Sequence, residues 1–467
     1  MPNADGEWSP IHCELSQYQP LSNITASRTD IWRYRRSTVS KMGVKEFFKR
    51  RSLRVSDDKR TKAAELTLRE SLYPICLITV LFFLWGFSYG LLDTLNKHFQ
   101  NALGINQARS SGLQAAYFGA YPLASLGHAN WILRHYGYRA TFIWGLCLYV
   151  CGPPRYAEIR INLSQAFNGI GTVVAPVMGS YVFFTFDDET ALQNVNWVYL
   201  SIAIFVFALA IVFFLSTIPE ITDADMAFQA SETHAGSDDK PFWKQYRLFH
   251  AAFAQFCYTG AQVAIAAYFI NYAVYTRSNT DDSLASQFLA GAQGAFAVGR
   301  FFGAWIMKYI RPRWVFLAYL TACIIFIAPS ITQRENVGIS MLFVTLFFES
   351  ICFPTIMALG MRGLGRHTKR GSGWIVGGVM GGAVVPPLTG YAADKHNAGF
   401  AMVVPLMFFV IAESYAFAVN FIPAYRDTAD AFSTAKVGLN PHTDEESADA
   451  GVLNDEKTTK AIEAEKA

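Results

Sequence analysis

The sequence predicts an all-α polytopic membrane protein built from two helix bundles. Three observations predict it. Ser71 to Leu92 holds no Asp, Glu, Lys or Arg over a length that crosses a bilayer core, and comparable stretches recur along the chain. Lys and Arg crowd into alternate loops between these stretches. One long polar linker, residues 219–247, separates two sets of apolar segments that share short sequence matches. Over 467 residues, 52% of them hydrophobic, the average is only moderately apolar because both ends are polar.

Taken in order, residues 1–70 are polar and irregular and read as a disordered tail. The first bundle, 71–218, holds Ser71–Leu92 and the stretches 112–133, 161–186 and 197–218. Between its second and third stretches an apolar segment opens after Arg139, then meets Cys151-Gly152-Pro153-Pro154 and the charges Arg155, Glu158 and Arg160. A dozen residues rise only ~18 Å, short of a ~30 Å hydrocarbon core, so this segment is a stub. The linker 219–247 ends in Phe242-Trp243-Lys244-Gln245-Tyr246-Arg247, a mixture suited to an interface. The second bundle, 248–425, holds 248–276, 285–307, 314–333, 337–361, 371–393 and 399–425. Residues 426–467 are acidic, alanine-rich and expected to be disordered. The total is ten spans and a stub.

Charge orients these spans. Lys49, Arg50, Arg51, Arg54, Lys59 and Arg60 crowd the N-terminal tail. Basic residues return at Arg134/Arg139, Arg155/Arg160, Lys308/Arg311/Arg313 and Arg362/Arg366/Lys369/Arg370. Residues 187–196 have none, and 277–284 have only Arg277. The positive-inside rule then places both termini in the cytoplasm. No basic n-region followed by an apolar h-region opens the chain, so the first span is expected to direct insertion. Asn23-Ile24-Thr25 fits a glycosylation sequon that a cytoplasmic tail would never present to the modifying enzyme.

Several classes are excluded. The net charge of +3 carries no nucleic-acid signal. No nucleotide loop, catalytic triad or metal-ligand spacing occurs, so neither an enzyme nor a bound cofactor or metal is expected. Of seven cysteines, Cys76, Cys147, Cys257, Cys323 and Cys352 lie within apolar segments and read as small buried side chains.

The two halves repeat. Trp131-Ile132-Leu133-Arg134 followed by Arg139 mirrors Trp305-Ile306-Met307-Lys308 followed by Arg313, at an offset of 174 residues. Val173-Val174-Ala175-Pro176-Val177-Met178-Gly179 mirrors Val384-Val385-Pro386-Pro387-Leu388-Thr389-Gly390 at an offset of 211. The offsets differ by 37, so the first half lacks about one helix and part of another between Arg139 and Val173. Restoring that piece gives twelve spans in two sixes.

The stretches LFFLWGFSYGLLDTLNKHFQ (81–100), RINLSQAFNGIGTVVAPVMG (160–179), AQFCYTGAQVAIAAYFINY (254–272) and CFPTIMALGMRGLG (352–365) are similar to the fucose:proton symporter family of the major facilitator superfamily. That family includes bacterial fucose permease, glucose/galactose transporters and many fungal relatives. The resemblance covers roughly residues 72–425 and implies a two-bundle fold with alternating access. It implies a monosaccharide and protons as partners within a bilayer, with the proton gradient as the energy source. Asp93 matches the family's first-helix aspartate. The family's fourth-helix glutamate has no counterpart here, although the Gly152-Pro153-Pro154 that follows it survives.

The candidate proton-coupling residues are Asp93 and Glu349. Glu349 precedes Pro354 by five residues, as the absent glutamate precedes its own proline. An acid within a membrane segment is costly and is usually employed. Candidates for sugar contact are Asn96, the series Asn162, Gln165 and Asn168, and the series Gln255, Tyr258, Gln262 and Asn271. Amides supply the donors and acceptors that sugar hydroxyls need, although such residues also join helices to one another. Trp85 and Trp374 are candidates to stack on a sugar ring, and Arg300 reads as structural. The expected location is the plasma membrane. Two alternatives remain at this level: a receptor or scaffold that does not transport, and an incomplete product of its gene.

Overall fold

The computed structural model describes residues 68–128, 131, 168–169, 171–178, 197, 200–201, 204–205, 208, 241–364 and 367–434. The N-terminal tail, the stub, Asn162, Gln165, most of the linker and the end of the C-terminal tail lie outside them. Among the described residues the secondary structure is helical and no strand occurs.

The first half contributes α1 (Leu68–Leu103), α2 (Gln107–Ser110) and α3 (Gly112–Pro122). A π-helical turn, Leu123–His128, continues α3, and residues 171–178 are also helical. The apolar pattern ends the first span at Leu92, but α1 runs on through Asp93 and Lys97. At ~1.5 Å per residue it is about 54 Å long, well beyond a hydrocarbon core. The extension holds because its polar residues are covered by protein: Asp93, Thr94, Asn96 and His98 are all buried.

The second half makes six passages of alternating direction, one for each apolar stretch. They are α4 (Tyr246–Thr276), α5 (Asp282–Ile306), α6 (Pro312–Ser330), α7 (Glu335–Glu349) with α8 (Cys352–Met361), α9 (Thr368–Gly377) with α10 (Gly381–Lys395), and α11 (Ala398–Ala401) with α12 (Val403–Phe421). Local signals set their starts. The Asp281 side chain accepts from Leu284 N at 3.1 Å, the Asn397 side chain accepts from Phe400 N at 2.8 Å, and Pro312 opens α6. Five of the passages are long and apolar enough to cross a membrane; α5, with Gln293 and Arg300 buried on it, is the more polar one. Helix α4 is buried along most of its length and packs on α8, α10 and α12.

The sequence repeat has a structural counterpart. In the first half, Gly86 of α1 meets the backbone carbonyl of Asn168; in the second, Gly381 at the start of α10 meets the carbonyl of Phe256 in α4. A Cβ at either glycine would collide with that carbonyl, so each pair of helices crosses at backbone contact. In both halves the first helix is thus crossed by the helix that carries the repeated Val-Val-x-Pro stretch.

One end of the bundle holds the basic turns at 241–245, 307–311 and 362–364. The sequence starts the disordered tail at 426, but α13 (Pro423–Thr434) remains helical across this end. Its Asp430 explains the difference. The carboxylate accepts from Arg313 Nε at 2.9 Å and Nη2 at 3.1 Å, and from Arg311 Nη1 at 2.8 Å. Arg247 Nη1 also donates to Ala424 O at 3.0 Å.

Candidate functional site

The site begins with Pro354. Proline has no N–H, and its ring clashes with the carbonyl four residues earlier. The helix breaks there: α7 ends at Glu349, and α8 begins at Cys352. The buried carbonyls at the break take donors from other helices. The Tyr258 hydroxyl of α4 donates to Glu349 O at 2.6 Å, and Arg300 Nε of α5 donates to Ser350 O at 2.8 Å. Arg300 Nη1 also donates to Asn168 Oδ1 in the first half, at 3.3 Å. Asn168 Nδ2 in turn donates to Phe82 O of α1 at 3.2 Å. Four helical segments from both halves are joined through two side chains.

Arg300 and Asn168 also line a narrow cavity that is open on one side. Helix α1 adds Trp85 and Tyr89, and α4 adds Thr259, Gln262 and Val263. Thr172, Phe118, Phe296, Phe353 and Val379 complete the wall. The Trp85 indole donates to Tyr121 Oη at 2.7 Å, and its ring lies 6.0 Å from that of Phe353. Apolar rings face amides and hydroxyls across the space, a lining suited to a small ligand with one apolar face and many hydroxyls. The Arg300 guanidinium lies 4.4 Å above the Phe296 ring.

Arg300→Met should lower the melting temperature in detergent by several degrees. It leaves the Ser350 carbonyl and Asn168 without a donor, a cost of about 1–3 kcal/mol for each buried group left unsatisfied. Arg300→Lys should recover only part of the loss, since one ammonium lacks the fork that spans both acceptors. An unchanged melting temperature in Arg300→Met would show that the bridge contributes nothing to stability.

Asp93 stands one turn beyond Tyr89 on α1. It is 1% exposed, and neither carboxylate oxygen has a hydrogen-bond partner among the described residues. Glu349, at the helix break, is 2% exposed; its Oε2 lacks a partner, and Arg300 interacts electrostatically with it. The Tyr89 hydroxyl is within electrostatic reach of both acids. The spacing carries a signal that the sequence reading left unused. Trp85, Tyr89 and Asp93 follow at i, i+4 and i+8, which places them along one side of a helix.

The other candidates separate. Asn168, Gln262 and Trp85 lie on the cavity wall. Asn96 instead ties α1 to α4, donating from Nδ2 to Ala267 O at 3.3 Å. Gln255 lies one turn below the wall and donates to Thr259 Oγ1 at 3.1 Å. The Tyr258 hydroxyl is committed to Glu349 O. Asn271 is not on the wall, because nine residues from Gln262 make about 2.5 turns and point it to the opposite side of α4. Trp374 is not there either. It belongs to an aromatic cluster at the basic end, 5.2 Å from Phe249 and 5.6 Å from Trp243 between ring centroids. Arg300, which the sequence reads as structural, bridges Ser350 O and Asn168 Oδ1 and also lines the wall.

The Major Facilitator Superfamily profile matches residues 153–386. A glucose/galactose transporter of Brucella abortus biovar 1 (strain 9-941) is 29% identical over 395 residues, covering 73% of this chain and 93% of the relative. The L-fucose-proton symporter of Escherichia coli (strain K12) is 27% identical over 413 residues, covering 74% and 93%. Among solved structures, the transporter FucP in its outward conformation superposes with a TM-score of 0.58 at 26% identity, covering 74% of this chain and 98% of that one. The 395 aligned positions exceed what 73% of 467 residues can fill. Within the matched region, therefore, this chain is shorter than that relative.

Proposed function

Because the chain belongs to the Major Facilitator Superfamily, we propose that it is a secondary active transporter coupling proton entry to uptake of a monosaccharide. The observation that carries this reading is the row on α1, where Trp85 and Tyr89 face the cavity and the unpartnered carboxyl of Asp93 follows one turn on. The names of the relatives, an L-fucose-proton symporter and a glucose/galactose transporter, support the same reading.

In this account the apolar face of the sugar rests on Trp85 and Phe353, and its hydroxyls exchange hydrogen bonds with Asn168, Gln262, Thr172 and Thr259. Gln255 orients Thr259 from below. Asp93 takes the proton. An ionised carboxylate without a partner in an apolar surround is costly, and a proton removes that charge without breaking a hydrogen bond. Glu349 is the second acid of the pair, with Arg300 as its counter-charge. The basic end faces the cytoplasm, and the membrane is the plasma membrane.

The test is uptake by the full chain in proteoliposomes under an inward proton gradient. Labelled fucose, glucose or galactose should accumulate above equilibrium, and a protonophore should collapse the accumulation. Binding of a sugar with neither uptake nor exchange would overturn the reading in favour of a receptor.

A further inference from the structure

We infer that Asp282 and Asp394 form a two-point latch that closes the transport path at the end opposite the basic turns. The inference rests on the reading of the chain as an alternating-access carrier, and it assigns the contact that must break whenever the cavity opens to that side.

Asp394 stands in the last turn of α10, in the second half, and binds the start of α2 in the first. Its Oδ1 accepts from Gln107 N at 3.2 Å and its Oδ2 from Ala108 N at 3.0 Å. These are the first two N–H groups of α2, which have no acceptor within that short turn, so the carboxylate satisfies both. One turn earlier, Gly390 lies against Ala108 so closely that a Cβ would stand 3.0 Å from its backbone. The Tyr268 hydroxyl adds a bond to Gln107 O at 2.9 Å.

Asp282, in the first turn of α5, makes the second point. Its Oδ1 lies 3.6 Å from Lys97 Nζ, and its Oδ2 accepts from Asn101 Nδ2 at 2.6 Å. Lys97 and Asn101 extend the α1 row at the same spacing of four, so Trp85, Tyr89, Asp93, Lys97 and Asn101 run from the cavity to the latch. Water reaches both points: the Lys97 and Asp282 side chains are 16% and 23% exposed, and Asp394 is exposed. Charge pairs of this kind are individually weak and rehydrate when parted, which suits a contact broken at every turnover. A fully buried pair would leave stranded charges on opening.

The experiment places nitroxide labels at Leu103 and Gln287, both exposed near this end of opposite halves, in the full chain on a background whose other thiols do not label. Pulsed electron spin measurements in liposomes then read the distance between the halves. The unsubstituted chain should show mainly the short distance. Asp282→Asn with Asp394→Asn should raise the longer-distance fraction at least ~fivefold. Lys97→Asp should also open this end, and adding Asp282→Lys should restore the short distance, which separates a latch from a folding defect. Asp281→Asn should change nothing, because that carboxylate caps its own helix at Leu284 N. An unchanged distribution in the double Asn variant overturns the latch. So does a swap that stays open, or an equal shift in Asp281→Asn. Loss of sugar uptake in a chain whose latch behaves as described would refute the sugar reading alone.

Discussion

Asp93→Asn should abolish proton-driven accumulation of sugar while retaining sugar exchange. Asparagine resembles a permanently protonated aspartate in size and neutrality. Exchange needs only the loaded carrier to reorient, and the loaded form carries its proton. Net accumulation needs the empty carrier to release that proton and return, and an amide has none to release. Asp93 is buried without a hydrogen-bond partner among the described residues, so the substitution breaks no bond that the structure records. The measurement is counterflow against gradient-driven uptake in the same proteoliposomes. Equal loss of both would place Asp93 in sugar binding or folding.

Inserting the corresponding segment of a full-length relative between Val150 and Cys151 should raise proton-driven uptake at least ~10-fold at matched surface expression. That is about 1.4 kcal/mol of effective stabilisation. The repeat offsets and the alignment with the relative agree that this chain is short within the matched region. In a six-helix half, a missing helix leaves its neighbours facing lipid or water where they would pack on protein, and each interhelical hydrogen bond lost costs ~0.6–2 kcal/mol. By the resemblance, the insertion also returns the fourth-helix carboxylate, for which Glu349 is the proposed replacement in the opposite half. Equal uptake with and without the insertion would show that the absent helix is dispensable.

Much of the architecture was legible in the sequence, because bilayer thickness imposes a length on each span. All six passages of the second half fall on the apolar stretches read for it. Boundaries were less legible. Hydropathy ends the first span at Leu92, yet α1 continues because protein, rather than lipid, surrounds Asp93 and Asn96. In the site, Asn168 and Gln262 lay on polar stripes and reached the wall. Asn271 shared the stripe by composition but not by angle. Arg300 read as structural, but its partner did not: a carbonyl left open by a distant proline has no signature in the sequence around the arginine.

That open carbonyl has a mechanical consequence. Of the two bonds made by Arg300, the one to Ser350 stays within the second half, at 2.8 Å. The one to Asn168 crosses to the first, at 3.3 Å. Rigid rocking of the halves leaves the first unchanged and stretches only the second. Pro354 thus turns the guanidinium into a pivot pin, seated firmly in one body and bearing lightly on the other.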